Sequence, residues 1–253
     1  MTILLLLCLF AFFAGFIDSI VGGGGLILIP ALLILRPDLD LTTVLGTNKG
    51  AAVWGTLTAT LQYSRTVGIP WRVMLPAAVT GFIFSGLGAF AVTKVDNDFL
   101  RPFIIVLLVG VAIYTFFKKD FGSLHAPSVS ENKQRLVGIL AGATLGFYDG
   151  FFGPGTGSFL IFVFIGLIGF GFLAASASAK IINFATNVSA VLLFAFTGHI
   201  AYALALPMAL CVAAGAFLGS RTAVLRGSSF VRVLFLVVVT GVILRLSYDT
   251  FSR

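Results

Sequence analysis

The sequence predicts an all-α polytopic membrane protein made of two inverted repeats. Its 253 residues are 59% hydrophobic and only 10% charged, which is more apolar side chain than a soluble protein of this size can bury. The charged residues fall in short segments between apolar stretches of about 20 residues, the length that crosses the hydrocarbon core of a bilayer. The net charge of +7 lies mostly at predicted helix ends, where cytoplasmic loops collect it, so we expect no nucleic-acid partner.

An internal repeat is the second observation behind this prediction. A shift of 131 residues aligns GFIDSIVGGGG, residues 15–25, with GFYDGFFGPGT, residues 146–156. The same register, without a gap, aligns Lys49 with Lys180, Pro76 with Pro207 and Gly88 with Gly219. Such coincidence of rare residues at one register indicates two homologous halves.

The repeat and the polar segment at its centre define the domains. We assign 1–122 to an N-terminal transmembrane repeat and 135–253 to a C-terminal transmembrane repeat. The intervening residues 123–134 are polar, contain Pro, and read as a cytoplasmic linker.

Each repeat is predicted to contain a broken-helix hairpin followed by three long transmembrane helices. The second segment of each repeat is too short to cross a bilayer comfortably, so helix, glycine turn and short helix are interpreted as a hairpin that returns to its own side. The predicted segments are 3–20, 25–35, 42–63, 72–94 and 100–118 in the first repeat and 136–151, 157–170, 173–196, 201–223 and 230–247 in the second. They amount to about eight to ten membrane segments, depending on whether the hairpins are re-entrant or fully spanning.

The distribution of Lys and Arg favours re-entrant hairpins, with both termini outside and the linker in the cytoplasm. The odd number of crossings per repeat then inverts the second repeat relative to the first. In transporters, inverted repeats place the substrate site near the bilayer midplane, where broken helices meet.

The two glycine-rich turns are the first candidate site. A non-helical turn inside a membrane must be buried in protein or line an aqueous cavity. Glycine lets the backbone approach a ligand closely, and the N–H groups at the start of the short helix favour anions. The candidate binding residues are Gly22, Gly23, Gly24, Gly25, Gly153, Gly155, Thr156, Gly157 and Ser158. The alternative is that these small residues only permit tight helix packing.

Two lysines are the second candidate site. Lys49 lies about two turns inside its predicted helix and recurs as Lys180. Charged side chains within membranes normally face the bundle interior or an aqueous path. Polar side chains that can donate hydrogen bonds to an oxyanion lie nearby: Thr47, Asn48, Asn183 and Asn187. The alternatives are that the polar groups join helices and that each lysine neutralises a buried aspartate.

Asp18 and Asp149 precede the two glycine turns and need a separate role, because a carboxylate repels an anion. They either exchange protons during transport or hold the turn, and the sequence leaves both roles open.

The segments GFIDSIVGGGGLILIPALL and LGTNKGAAVWGTLTATLQYSR, with the weaker copy GFYDGFFGPGTGSFL, closely resemble the sulfite exporter TauE/SafE family, also called the toluene sulfonate uptake permease family. The resemblance spans nearly the whole chain. It implies a multi-pass permease of the bacterial cell inner membrane that moves sulfite, sulfonates or other small sulfur-containing anions, often outward. The implied substrate contacts are Gly22 to Gly25 and Thr47 to Lys49. In the second repeat Thr156 replaces the fourth glycine, and no Thr-Asn pair precedes Lys180.

Together these observations predict a secondary transporter that exports small sulfur-containing anions by alternating access at a midplane site. Its expected partners are a small anionic substrate and the lipid bilayer; a coupling proton or ion and a homodimer are left open. We expect no enzyme activity, cofactor or metal, because no nucleophile with a base, metal-ligand cluster or nucleotide loop is recognisable. One alternative is a cation or metal transporter that uses Asp18 and Asp149. Another is an integral-membrane partner subunit without transport activity.

Overall fold

The computed structural model describes residues 2–95 and 129–251, with side chains described as far as Arg226. Every regular element in these ranges is helical. The helices are α1 Thr2–Val21, α2 Gly25–Leu35, α3 Leu41–Thr66, α4 Trp71–Val92, α5 Glu131–Phe151, α6 Thr156–Val163, α7 Phe172–Phe196 and α8 Tyr202–Phe251. Among the described residues, four stretches are long and apolar enough to cross a membrane: α1, α4, α7 and the Tyr202–Arg226 part of α8. The helix predicted over 100–118 lies outside the described residues.

The largest differences from the sequence prediction are in three helices. α5 begins at Glu131 instead of near 136, since an acidic residue in the first turn favours the helix N-terminus. The predicted helix 157–170 is an α-helix only to Val163 and continues as a π-helix over Phe164–Ile168. α8 runs through the predicted break between 223 and 230, because that segment contains one glycine and no proline, and a single glycine costs a helix only about 1 kcal/mol.

Two hairpins, α1–α2 and α5–α6, turn on left-handed glycines. The positive φ angles are 76° at Gly22 and 95° at Gly23 in the first turn, and 96° at Gly153 and 84° at Gly155 in the second. L-residues with a side chain avoid these values. After the first turn α2 folds back along α1, since a Cβ built on Gly24 would stand 2.9 Å from the carbonyl oxygen of Ala14, ten residues earlier.

Small residues let the outer helices approach closely in parallel pairs. On α5, a Cβ at Gly142 would overlap the backbone of Ala77 in α4, and one at Gly146 would overlap that of Gly81, four residues further along each helix. The pair α1 and α8 repeats this arrangement, since a Cβ at Gly15 would overlap the backbone of Val212. The 131-residue shift makes the contact between Gly15 and Val212 equivalent to the contact between Gly146 and Gly81. Small residues at helix contacts are typical of membrane bundles.

The central helices α3 and α7 run antiparallel. Lys49 Nζ, early in α3, donates to Asn187 Oδ1 at 3.0 Å, and Thr60 Oγ1, later in α3, donates to the carbonyl oxygen of Lys180, earlier in α7, at 3.0 Å. Since Lys49 and Lys180 are equivalent in the repeat, the two equivalent helices point in opposite directions. Their facing sides meet between the hairpin turns.

Candidate functional site

A small cavity lies between the two hairpin turns and the facing sides of α3 and α7. Its volume is about 40 Å³. The predicted site residues that line it are Asp18, Gly23, Gly24, Gly25, Asn48, Lys49, Asp149, Gly153, Thr156, Gly157, Asn183 and Asn187. The structure therefore brings most of the candidates of both repeats to one place.

Among the residues that the structure describes, two buried ion pairs cross between the repeats. Lys49 Nζ lies 2.7 Å from Asp149 Oδ2, and both side chains are 4% exposed. Lys180 Nζ lies 2.7 Å from Asp18 Oδ2, with side-chain exposures of 0% and 24%. Each lysine is thus neutralised by the aspartate of the other repeat. The 131-residue shift converts one pair into the other.

The two aspartates are held differently. Asp18 Oδ1 accepts the backbone N–H of Gly24 at 3.0 Å, while Oδ2 accepts a hydrogen bond from Lys180 Nζ. Asp149 Oδ2 accepts no hydrogen bond of normal alignment among the described residues, despite its short contact with Lys49. The carboxylate of Asp18 is therefore fixed by two aligned donors, whereas Asp149 Oδ2 has only its short, poorly aligned contact with the charge of Lys49.

A proline explains this difference at the level of sequence. Pro154 stands where the first repeat has Gly23, and the proline ring fixes φ near −65°, so Pro154 cannot adopt the φ of 95° that Gly23 has. The left-handed residue of the second turn is consequently Gly155, at φ 84°, whereas the equivalent Gly24 is right-handed at φ −54°. The N–H of Gly24 donates to Asp18 Oδ1. In the second turn, as far as the structure describes it, the N–H of Gly155 makes no equivalent hydrogen bond to Asp149.

Amide side chains line the cavity together with Lys49. Asn187 Oδ1 accepts its hydrogen bond, and Asn187 Nδ2 in turn donates to Thr56 Oγ1 at 3.4 Å. Asn48 Oδ1 is buried and has no hydrogen-bond partner among the residues that the structure describes. Thr56 lines the cavity but was missed by the sequence analysis. The signal was present, because the 131-residue shift places Thr56 on Asn187.

Five predicted site residues do not line the cavity. Gly22 packs on the backbone of the other turn, and Gly155 immediately precedes α6. Thr47 Oγ1 accepts a backbone N–H near the start of α8, while Ser158 Oγ donates to the last carbonyl of α1. Lys180 is fully buried behind Asp18. These contacts join helices and turns.

Two helix N-termini open onto the cavity. Gly25 is the first residue of α2 and Gly157 the second of α6, and both line the cavity. The first N–H groups of an α-helix have no partner within the helix and carry the positive end of its dipole. Together with Lys49 they give the cavity several donors suited to an anion.

Comparison with known proteins identifies the family. The sequence model described as "Sulfite exporter TauE/SafE" matches residues 7–246. The chain belongs to the TauE/SafE family. The resemblance found from the glycine-rich and Thr-Asn-Lys segments is thereby confirmed.

Three relatives of this TauE/SafE protein are similar along nearly their whole length. It is 40% identical over 244 residues to "Probable membrane transporter protein ORF9" of Sinorhizobium sp, covering 94% of this chain and 90% of the relative. It is 34% identical to "Probable membrane transporter protein" of Haemophilus influenzae, covering 94% and 92%. It is also 34% identical to "Probable membrane transporter protein YfcA" of Escherichia coli K12, covering 96% and 89%. No solved structure matches the chain.

The family, its relatives and the apolar helices agree on a broad description. This TauE/SafE protein is a multi-pass membrane transporter and not an enzyme, as the sequence predicted.

Proposed function

We propose that the protein is a secondary transporter that exports small sulfur-containing oxoanions, such as sulfite or a short organosulfonate, across the bacterial inner membrane. The observation that carries the proposal is the ammonium of Lys49, which lies at the wall of a small cavity. The family description supports sulfite and the outward direction.

The donors around the cavity suit the oxygen atoms of an oxoanion. Lys49 supplies charge, Asn48 and Asn183 supply amides, and Gly25 and Gly157 supply backbone N–H groups from helix N-termini. A cavity of about 40 Å³ favours sulfite or a short alkylsulfonate over an aromatic sulfonate. The predicted binding role of the glycines and amides is therefore retained in this proposal.

The arrangement of equivalent helices supports alternating access by inverted repeats. Helices α3 and α7 run antiparallel and contribute equivalent lysines to opposite ion pairs. The hairpin turns meet where Gly22 packs against the backbone of Gly157. In transporters with this symmetry, the two repeats rock about a site between broken helices.

The ion pairs argue against the cation alternative. Asp18 and Asp149, the carboxylates predicted to bind a cation, each lie 2.7 Å from a lysine ammonium. A metal ion would have to displace a buried ammonium and leave that charge without a partner, which is costly. An anion would bind the ammonium of Lys49 in place of Asp149, and the displaced carboxylate would then take up a proton to stay neutral.

Flux into proteoliposomes tests the proposal. Purified protein is reconstituted, and uptake of sulfite, methanesulfonate, sulfate and divalent cations is compared with that of protein-free vesicles. The key variant is Lys49→Met combined with Asp149→Asn, which removes the cavity ammonium without leaving its buried partner unpaired. Lys133→Met removes an exposed lysine of α5 and serves as the matched control.

We expect sulfite or methanesulfonate flux in the wild type and in Lys133→Met, and loss of at least 90% of it in the double variant. Wild-type flux in the double variant would contradict the site. Flux of divalent cations alone would support the cation alternative. No flux of any probe would support a partner subunit without transport activity.

A further inference from the structure

The cavity and its two ion pairs point to a coupling mechanism. We propose that each anion crosses together with one proton, and that Asp149 carries this proton while Asp18 stays ionised as a fixed partner of Lys180. This inference rests on the proposed anion transport and assigns different roles to two aspartates that the sequence repeat makes equivalent.

Charge balance supplies the first step. The buried groups Lys49, Lys180, Asp18 and Asp149 sum to zero net charge when all are ionised. A bound monoanion would leave one uncompensated negative charge among side chains that are at most 24% exposed. An uncompensated buried charge is strongly unfavourable. Uptake of one proton together with the anion restores neutrality.

The hydrogen bonds select the carboxylate that takes up the proton. Protonation of Asp18 would weaken two aligned hydrogen bonds, from Gly24 N–H and from Lys180 Nζ. It would also leave Lys180, which is 0% exposed, without its counter-ion. Protonation of Asp149 sacrifices one poorly aligned contact, and the released Lys49 keeps its hydrogen bond to Asn187.

The neighbours of Asp149 agree with this assignment. Lys49 faces it from α3, Asp18 lies across the cavity on α1, and Lys180 of α7 lies behind Asp18. On its own helix, the hydroxyl of Tyr148 donates to the carbonyl oxygen of Pro154 at 2.7 Å and is therefore engaged in the turn. Lys49 is thus the cation for which a bound anion and Asp149 would compete.

The proposed cycle balances charge and protons. An oxygen of the anion replaces Asp149 Oδ2 as the partner of Lys49 Nζ, and a proton from water on the same side binds the displaced carboxylate. After the cavity opens to the other side, the anion leaves, Asp149 releases the proton to water and Lys49 returns to it. One monoanion and one proton have then crossed together.

Titration calorimetry of the detergent-purified protein tests this coupling. Methanesulfonate is the main probe because it remains a monoanion from pH 6 to 8, and sulfite is the second. Titration in two buffers of different ionisation enthalpy counts the protons taken up on binding. We expect close to one proton per methanesulfonate in the wild type. Its affinity should then fall by up to tenfold per pH unit as the pH rises, since linkage of one proton gives that slope.

Asp149→Asn keeps the shape of the protonated side chain and cannot titrate. We expect it to bind methanesulfonate with no proton uptake and no pH dependence of affinity. Asp38→Asn, at an exposed aspartate between α2 and α3, should retain the wild-type slope.

Each result decides between the possibilities. Wild-type binding without proton uptake would overturn the coupling, even if the Asp149 variant fails to fold. A pH slope that persists in Asp149→Asn would overturn the assignment to this residue. If neither anion binds the wild type, the proposed function itself fails, and this inference fails with it.

Discussion

Replacing Asp18 by Asn tests how far the second ion pair holds the fold. The variant removes the counter-ion of Lys180, whose side chain is 0% exposed. Removal of one partner from a buried pair costs about 3–5 kcal/mol, because the other charge is left uncompensated. For a chain of this size, 1 kcal/mol corresponds to about 2–4 °C in Tm. We therefore expect Asp18→Asn to lower Tm by roughly 6–20 °C.

The converse variant should cost less. Lys180→Met leaves the carboxylate of Asp18, which is 24% exposed and still accepts the N–H of Gly24. Combining Lys180→Met with Asp18→Asn removes both charges of this pair and leaves neither partner unpaired, so most of the lost stability should return. A buried ion pair is often replaceable by uncharged groups of similar shape at little cost.

Thermal unfolding of the detergent-purified proteins measures this double-mutant cycle, followed by tryptophan fluorescence at several protein concentrations. The expected signature is a double variant that is more stable than Asp18→Asn alone. If the losses of the two single variants simply add, within the roughly 0.5 kcal/mol seen for independent sites, Asp18 and Lys180 do not stabilise each other and the reasoning is refuted.

Three further variants test the turns and the cavity. Gly22→Ala should destabilise the protein by more than the roughly 1–2 kcal/mol expected for Gly198→Ala. Both glycines have positive φ, but only at Gly22 would the new Cβ also meet backbone, at 2.5 Å; equal losses in thermal unfolding would contradict the turn packing. Thr56→Val removes the acceptor of a cavity amide and should weaken methanesulfonate binding in calorimetry. Thr58→Val, at a half-buried position on the same helix whose hydroxyl donates to the carbonyl oxygen of Trp54, should not; equal effects would exclude the cavity contact. Pro154→Gly should allow the N–H of Gly155 to donate to the carboxylate of Asp149. Because this hydrogen bond favours the ionised form, proton uptake and methanesulfonate affinity at pH 7 should fall; an unchanged affinity would count against that explanation.

The sequence predicted helix bounds well where helix-breaking residues stand at both ends of an apolar run. The bounds of α2, Gly25–Leu35, match the prediction, because glycines precede this helix and Arg36 and Pro37 follow its apolar run. α8 was predicted as two helices, because charged residues and a glycine near 226 resembled a loop. A charge pattern indicates where water is available, and it does not by itself end a helix.

The cavity could be predicted only in part. The repeat showed that Lys49 and Lys180 are equivalent, but it did not show which aspartate each would contact. That choice depends on α3 and α7 running antiparallel, which brings the turn of each hairpin to the lysine of the other repeat. Thr56 was missed because a threonine in a helix normally bonds to its own backbone, and Thr56 does this as well.

The difference between the two hairpins suggests how a symmetric scaffold can carry an asymmetric function. Gly23 allows the first turn to place the N–H of Gly24 on its aspartate, and Pro154 prevents the second turn from doing the same. The difference between Gly23 and Pro154 therefore separates a carboxylate fixed by two aligned donors from one whose Oδ2 has only its short contact with Lys49. If both turns were alike, either both carboxylates or neither would exchange a proton, and the anion charge could not be balanced at a single defined residue. The departure from repeat symmetry at Pro154 is, on this argument, what makes coupling of one proton to one anion possible.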